Sequence, residues 1–102
     1  MARTRVELDS ILRTTLGSTN VYFDPPESFK LKYPCIVYSY NANIDWHAEN
    51  ARYIKLRRYT IIYITKNADD DMVDTLENLE FCHLNRVYNA DGLWHYAFDI
   101  YF

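Results

Sequence analysis

Residues 53–66, YIKLRRYTIIYITK, form the strongest strand signal in the sequence. Apolar side chains occupy both parities of this run, as in a strand with two covered faces. Its fourteen residues would extend about 46 Å at about 3.3 Å each. A compact domain of this length is roughly 33 Å across. We therefore expect the strand to extend beyond its domain at the Tyr53 end, in a projecting hairpin or loop centred on residues 41–52.

The composition also favours a sheet. The 102 residues include ten Tyr, five Phe and two Trp, but only two Gly and three Pro. Aromatic and β-branched side chains favour strands, and Tyr is enriched at protein–protein contacts. The length predicts a single domain over residues 1–102. Because so small a domain has few helices to cover both faces of its longest strands, we expect neighbouring subunits to cover part of the sheet.

Four classes of protein do not fit the sequence. It has no run of about 18 apolar residues to span a membrane, and no apolar segment of a secretory signal near its start. Two cysteines are too few for a disulfide scaffold. The net charge of −3 argues against nucleic acid as the main partner.

The remaining elements surround the long strand. Thr4 and Glu7 have the spacing of a capping box, and Gly17 is a typical helix stop, so a helix is predicted over residues 4–16. Asp69 is the predicted N-cap of a second helix. Shorter strands are predicted at 21–23, 35–40, 81–88 and 93–102, with residues 89–92 as a hairpin turn. The predicted fold class is α+β, with two helices packed on a mixed or antiparallel sheet of about four to five strands.

Charge is distributed unevenly along the chain. Residues 1–66 carry ten basic and six acidic side chains, whereas residues 67–102 carry eight acidic side chains and Arg86 alone as a basic one. One interpretation is that the two halves form two faces with no functional meaning. The other is a basic side and an acidic side that suit head-to-tail stacking of identical subunits, as in rings. In the second interpretation Asp70 and Asp71 are candidate contacts on the acidic side.

No motif for catalysis, cofactor binding or metal binding is present. The serines have no G-x-S-x-G context, and two glycines cannot form a glycine-rich phosphate loop. The histidines and cysteines lack the spacing of a zinc site, and Cys82 and His83 are neighbours that face opposite sides of a strand. We expect Cys35 to be a buried small side chain. The sequence therefore predicts no enzyme, no cofactor and no metal.

The candidate contact residues lie around the projecting segment. Apolar residues in an otherwise polar loop resemble interface anchors, although folding back onto the domain is a comparable alternative for them. The basic end of the long strand fits a subunit interface, a solvated strand or, less well, a nucleic-acid contact. The candidate residues at this end of the molecule are Ile44, Trp46, His47, Tyr53, Lys55, Arg57 and Arg58.

Taken in order, these segments resemble the tail terminator proteins of long-tailed bacteriophages, also called tail completion or tail-to-head joining proteins. The resemblance covers most of the chain, in segment order, spacing and type rather than in one sharp motif. It rests on the first helix, on Lys32–Tyr38, on residues 50–53 before the long strand Tyr59–Lys66, on the Asp-rich helix, and on the closing hairpin of residues 86–100.

The resemblance implies a structural virion protein of the tail or neck, made in the cytoplasm of the host bacterium. Its subunits would form a ring, a hexamer, that caps the tail tube and docks to the head connector. The implied partners are further copies of the chain, the tail-tube protein and a connector or neck protein, with no membrane and no specific nucleic-acid binding. Another phage neck protein, for head completion or as a connector adaptor, is the alternative. A small nucleic-acid-binding domain fits less well.

Overall fold

A computed structural model describes residues 4–47 and 53–102, with residues 42–47 and 53–57 described by backbone pairing alone. The described residues contain two helices and five strands, which confirms the α+β fold class. The helices are α1 (Arg5–Leu16) and α2 (Met72–Glu77). The strands are β1 (Val21–Phe23), β2 (Cys35–His47), β3 (Tyr53–Thr65), β4 (Cys82–Ala90) and β5 (Leu93–Tyr101).

Helix α1 has the ends that its sequence predicts. The Thr4 hydroxyl accepts a hydrogen bond from the Glu7 amide, and the Glu7 carboxylate accepts one from the Thr4 amide, which completes the capping box. Gly17 ends the helix at a φ of 73°, a left-handed conformation that glycine adopts without a steric penalty. Leu8 and Leu12 are fully buried and anchor this helix on the sheet.

The strands form one mixed sheet in the order β1-β2-β3-β5-β4. β1 pairs with β2 in parallel, and the other three pairings are antiparallel. β4 and β5 are joined by a two-residue turn in which Asp91 and Gly92 have φ values of 55° and 75°. Two positive φ angles fit a turn whose twist matches that of its strands. A hairpin is therefore present as predicted, but its turn is residues 91–92 rather than 89–92, because β4 continues to Ala90.

One face of the sheet carries the hydrophobic core. Leu8 and Leu12 from α1 and Leu76 from α2 pack against it. The inward side chains of the strands include Ile36, Tyr38, Tyr59, Ile61, Tyr63, Tyr96, Phe98 and Ile100. Facing residues on neighbouring strands belong to this set, as in the row of Tyr38, Ile61 and Phe98. The aromatic residues therefore build the core at their own strand positions, and both helices lie on this face.

Strand β2 is longer than predicted. The sequence predicted a strand over residues 35–40, but β2 continues to His47 and pairs with β3 along its length, ending with His47 opposite Tyr53. A register shift between Tyr40 and Ala42 lets the polar segment continue the ladder. The neighbouring strand β5 reaches β3 only as far as Arg58. The predicted hairpin thus has a paired backbone, while its projection from the domain stays a prediction.

Helix α2 begins later than predicted. The N-cap is Asp71, not Asp69, and its side chain makes no capping hydrogen bond. The reason lies in Asp70, whose carboxylate accepts hydrogen bonds from the side chains of Tyr63 and Thr65 and from the Met72 amide. These tertiary contacts hold residue 70 against the sheet, so the helix starts only after it.

Candidate assembly surface

The second face of the sheet, opposite the helices, is the candidate functional site. On the β2 side the loop of residues 24–34 lies over this face, and its Phe29 and Leu31 line a cleft with Val37 and Ile64. The Phe29 ring also contacts the Tyr22 ring, at 5.1 Å between centroids. No helix in the described part of the chain covers the remaining half, over β3, β5 and β4.

A cleft of about 320 Å³ opens in this uncovered half. Its floor is formed where Ala97 on β5 lies opposite Ile62 on β3 and Arg86 on β4. A methyl side chain between two long ones leaves a depression in the sheet surface. Arg86 reaches this row because β4 has a register shift between Leu84 and Arg86. The small residue and the β-bulge together create the cleft, which we call the Ala97 cleft.

Arg58 forms one wall of the Ala97 cleft. Its Nη2 atom donates a hydrogen bond to Oδ1 of Asn41 at 3.3 Å, and Nδ2 of Asn41 donates to the Thr60 hydroxyl at 3.0 Å. The Nε atom of Arg58 is buried and has no hydrogen-bond partner among the described residues. An orphaned buried donor is costly, so this guanidinium retains capacity for an acceptor.

Arg86 stands on the opposite wall and is exposed. Its Cζ atom lies 4.6 Å from the centre of the Tyr88 ring, a cation–π distance. The Tyr88 ring stacks in turn on His95, with centroids 4.8 Å apart. Nδ1 of His95 lies 3.1 Å from the Leu93 carbonyl oxygen, which suits an Nδ1–H donor. This stack positions the Arg86 guanidinium, which forms no ion pair with a carboxylate of the described residues.

The cleft also contains one carboxylate, that of Asp99. Asp99 is 9% exposed, and its Oδ2 atom accepts a hydrogen bond from Nδ2 of Asn85 at 2.8 Å. Nε2 of His83 lies 3.8 Å from the same oxygen. Neither Arg58 nor Arg86 forms an ion pair with a carboxylate in the described part of the chain. The cleft therefore combines two guanidinium groups that lack a carboxylate partner there with one hydrogen-bonded carboxylate.

The predicted contact residues are brought together only in part. Arg58 lies in the Ala97 cleft, Asp71 is exposed at the start of α2, and Asp70 points inward to its hydrogen bonds. The remaining candidates lie on the paired ends of β2 and β3, where Ile44 pairs with Leu56, Trp46 with Ile54, and His47 with Tyr53. The side chains of Ile44, Trp46, His47, Tyr53, Lys55 and Arg57 lie outside the described residues.

The two thiol groups do not form a reactive site. Cys35 is fully buried, as expected, and burial raises its pKa to about 11. Burial, together with the charges of Glu77 and Asp99, raises the pKa of Cys82 to about 12. A thiolate is the nucleophilic form, so both thiols are poorly reactive at neutral pH. The described residues contain no group of three or more His, Cys, Asp or Glu side chains suited to a metal ion.

The sequence alone does not predict the Ala97 cleft. Ala97 and Asp99 are two residues apart and so lie on one face of β5, but a function for that face cannot be predicted until the neighbouring strands are known. A β-bulge in β4 places Arg86 in the cleft, and the sequence of β4 contains no glycine or proline that would predict the bulge. Asn41 falls within the hairpin or loop predicted beyond the strand over residues 35–40, whereas it lies within β2.

No protein-family model matches the chain, and the search of curated proteins finds no match. No helix among the described residues is both long and apolar enough to cross a membrane.

Proposed function

We propose that this protein is a tail terminator, a subunit of a ring that caps the tail tube of a long-tailed bacteriophage and joins the tail to the head. One observation carries the proposal. The ladder between β2 and β3 continues as far as His47 and Tyr53, whereas β5 pairs with β3 only from Arg58 onward. The outer part of the hairpin is therefore a two-stranded ribbon within the described sheet.

A two-stranded ribbon is marginally stable when nothing packs on it. It is also well suited to reach a neighbouring subunit, because the contact stabilises the ribbon and joins the subunits at once. The sequence of this ribbon, with Trp46 and Ile44 in a polar setting, has the composition of an interface anchor. The ribbon supports a role in assembly more than a role in small-molecule chemistry.

The order of elements supports the same proposal. The chain has a first helix, a long antiparallel strand pair, a short helix preceded by three Asp residues, and a closing hairpin, in the order of the tail terminator resemblance. The uncovered half of the second sheet face offers a further surface for subunit contacts. A structural role of this kind needs complementary surfaces and no catalytic group.

The state of assembly tests the proposal directly. Light scattering and native mass spectrometry of the protein, alone and with the tail-tube protein, should reveal a closed ring. Pull-down experiments should capture the tail-tube protein. Capture of the portal protein without the tail-tube protein would instead favour the alternative of a head-completion or connector-adaptor protein. A strict monomer at high concentration, also in the presence of the tail-tube protein, would contradict the ring.

The same preparation tests nucleic-acid binding, which the basic residues on β3 also suggested. The proposal expects no specific binding of DNA or RNA. Phosphate contacts produce a steep loss of affinity as the salt concentration rises. Tight, salt-dependent binding of an oligonucleotide by the protein at low salt, without ring formation, would favour a nucleic-acid-binding domain.

A further inference from the structure

We propose that the Ala97 cleft binds carboxylate groups of a second copy of this chain, namely those on helix α2 and at its N-cap. This inference rests on the proposed function, since it names the contact that would join subunits of the ring. The carboxylates concerned are those of Asp71, Asp74 and Glu77.

Charge complementarity supports this contact. The cleft holds the guanidinium groups of Arg58 and Arg86 against the single carboxylate of Asp99, and Arg58 has a buried Nε–H without an acceptor among the described residues. Carboxylates are the natural partners of guanidinium groups, because two oxygens match two N–H donors. The cleft has a volume of about 320 Å³, close to the smallest ligand pockets, which measure about 300 Å³. It thus suits the end of a side chain rather than a large ligand.

The acidic surface supplies the complement. Asp71, Asp74 and Glu77 are all exposed, and none has an ion-pair partner among the described residues. Residues 67–102 carry eight acidic side chains, and Arg86 is the only basic one among them. Lys66 is the nearest basic residue before this helix, and it forms no ion pair among the described residues. The exposed carboxylates of α2 are therefore left for a cation of another subunit.

The arrangement of the two surfaces forbids their meeting inside one subunit. Helix α2 packs on the core face of the sheet through Leu76, whereas the Ala97 cleft opens on the opposite face. The contact must therefore join two different subunits, through two different patches. Such a heterologous contact repeats from subunit to subunit and closes into a ring when the rotation permits. The same geometry disfavours a closed dimer formed by this contact alone.

Charge reversal on each side tests the contact. We expect Arg86→Glu, and separately the double substitution Asp71→Lys/Asp74→Lys, to weaken self-association by about tenfold or more, because each places like charges opposite one another. Sedimentation velocity at low and high salt measures the effect. Lys30→Glu and Glu27→Lys, in the loop of residues 24–34, are the matched controls and should associate like the wild type.

Restoration of assembly is the decisive readout. A chain carrying all three substitutions places the introduced glutamate of one copy opposite the introduced lysines of the next, so association should return toward the wild-type level. An equimolar mixture of the two defective variants should also associate, because the reversed cleft of one variant then meets the reversed helix of the other. Loss of association without restoration, or no loss at all, would overturn the proposal.

A second variant does not alter charge. Ala97→Leu fills the floor of the cleft and should weaken association while the thermal unfolding temperature stays close to that of the wild type. Unchanged association of this variant would count against the cleft as the contact.

A wild type that stays monomeric with tail-tube protein overturns both the ring and this contact. A wild-type ring that all the variants still form overturns the contact alone. Binding of an oligonucleotide that Arg86→Glu abolishes, in place of self-association, would assign the cleft to phosphate.

Discussion

The hydroxyl group of Tyr63 donates a hydrogen bond to Oδ2 of Asp70, with 2.6 Å between the two oxygens. This bond joins the buried face of β3 to the segment that leads into α2. Burial alone would raise the pKa of Asp70, but the hydrogen bonds from Tyr63, the Met72 amide and Thr65 outweigh it and lower that pKa. Burial and the Asp70 charge together raise the pKa of Tyr63.

Asp70→Asn should therefore destabilise the fold, and Asp71→Asn should not. The first substitution weakens hydrogen bonds to a charged acceptor, each worth about 1.5–3 kcal/mol, so we expect a loss of about 2 kcal/mol. The exposed Asp71 makes no capping bond and serves as the matched control. Urea unfolding at pH 7 measures both. Equal loss from the two substitutions would show that charge at the helix start, rather than the Asp70 contacts, matters.

The stabilising effect of Asp70 should disappear in acid. The folded-state pKa lies below the unfolded value of about 3.9, so the contribution is complete above about pH 4 and is lost as the pH falls through the folded value. The difference in unfolding free energy between wild type and Asp70→Asn should shrink when urea unfolding is repeated below pH 4. A difference that stays constant from pH 7 to pH 2 would contradict this assignment.

Tyr38→Phe should destabilise the contact between α1 and β2. The Tyr38 hydroxyl donates to Oδ2 of Asp9 at 2.6 Å and accepts from Nη1 of Arg5 at 3.0 Å. Burial, together with the Asp9 carboxylate, raises the Tyr38 pKa to about 12, so the hydroxyl keeps its proton at neutral pH. We expect a loss of about 1–2 kcal/mol on thermal unfolding. Tyr33→Phe, on an exposed ring, is the control and should leave stability unchanged.

Trp46→Ala should reduce ring formation or docking more than it reduces the stability of the monomer, because the hairpin is proposed as an interface. Trp94→Ala is the contrasting variant. Trp94 packs against the core, so its loss should cost about 3 kcal/mol of stability. Light scattering and thermal unfolding of both variants separate the two effects. Lost stability with unchanged assembly would instead place Trp46 in the core of its own domain.

The thiols of Cys35 and Cys82 should react slowly in the native protein. With a pKa of about 11, the Cys35 thiol is only ~0.1% ionised at pH 8. The Cys82 thiol, at about 12, is ionised less. A colorimetric disulfide reagent at pH 8 should label both thiols rapidly in urea and slowly without it. Rapid labelling of one thiol in the folded protein would reveal an accessible, activated cysteine.

Local signals predicted those parts of the fold whose causes are local. The capping box of Thr4 and Glu7 and the stop at Gly17 depend on neighbours within four residues, so helix α1 was predicted almost to the residue. The turn at Asp91 and Gly92 is local in the same way. The second helix was predicted to begin after Asp69 because capping preferences depend only on residues next to the helix end. Tyr63 and Thr65, which lie on β3, hold Asp70 against the sheet. Capping preferences do not include such contacts with a strand, so the sequence does not indicate that the helix begins after Asp70.

The sequence by itself determined the α+β class, the long strand β3 and the aromatic composition of the core. These features follow from the periodicity of apolar residues and from helix and strand propensities, which depend only on neighbours along the chain. Only the tertiary structure decided the strand order β1-β2-β3-β5-β4, the length of β2 and the location of the Ala97 cleft. The cleft needs Ile62, Ala97 and Arg86 in one row across three strands. Register and a β-bulge set that row, and both are settled by which strands pair.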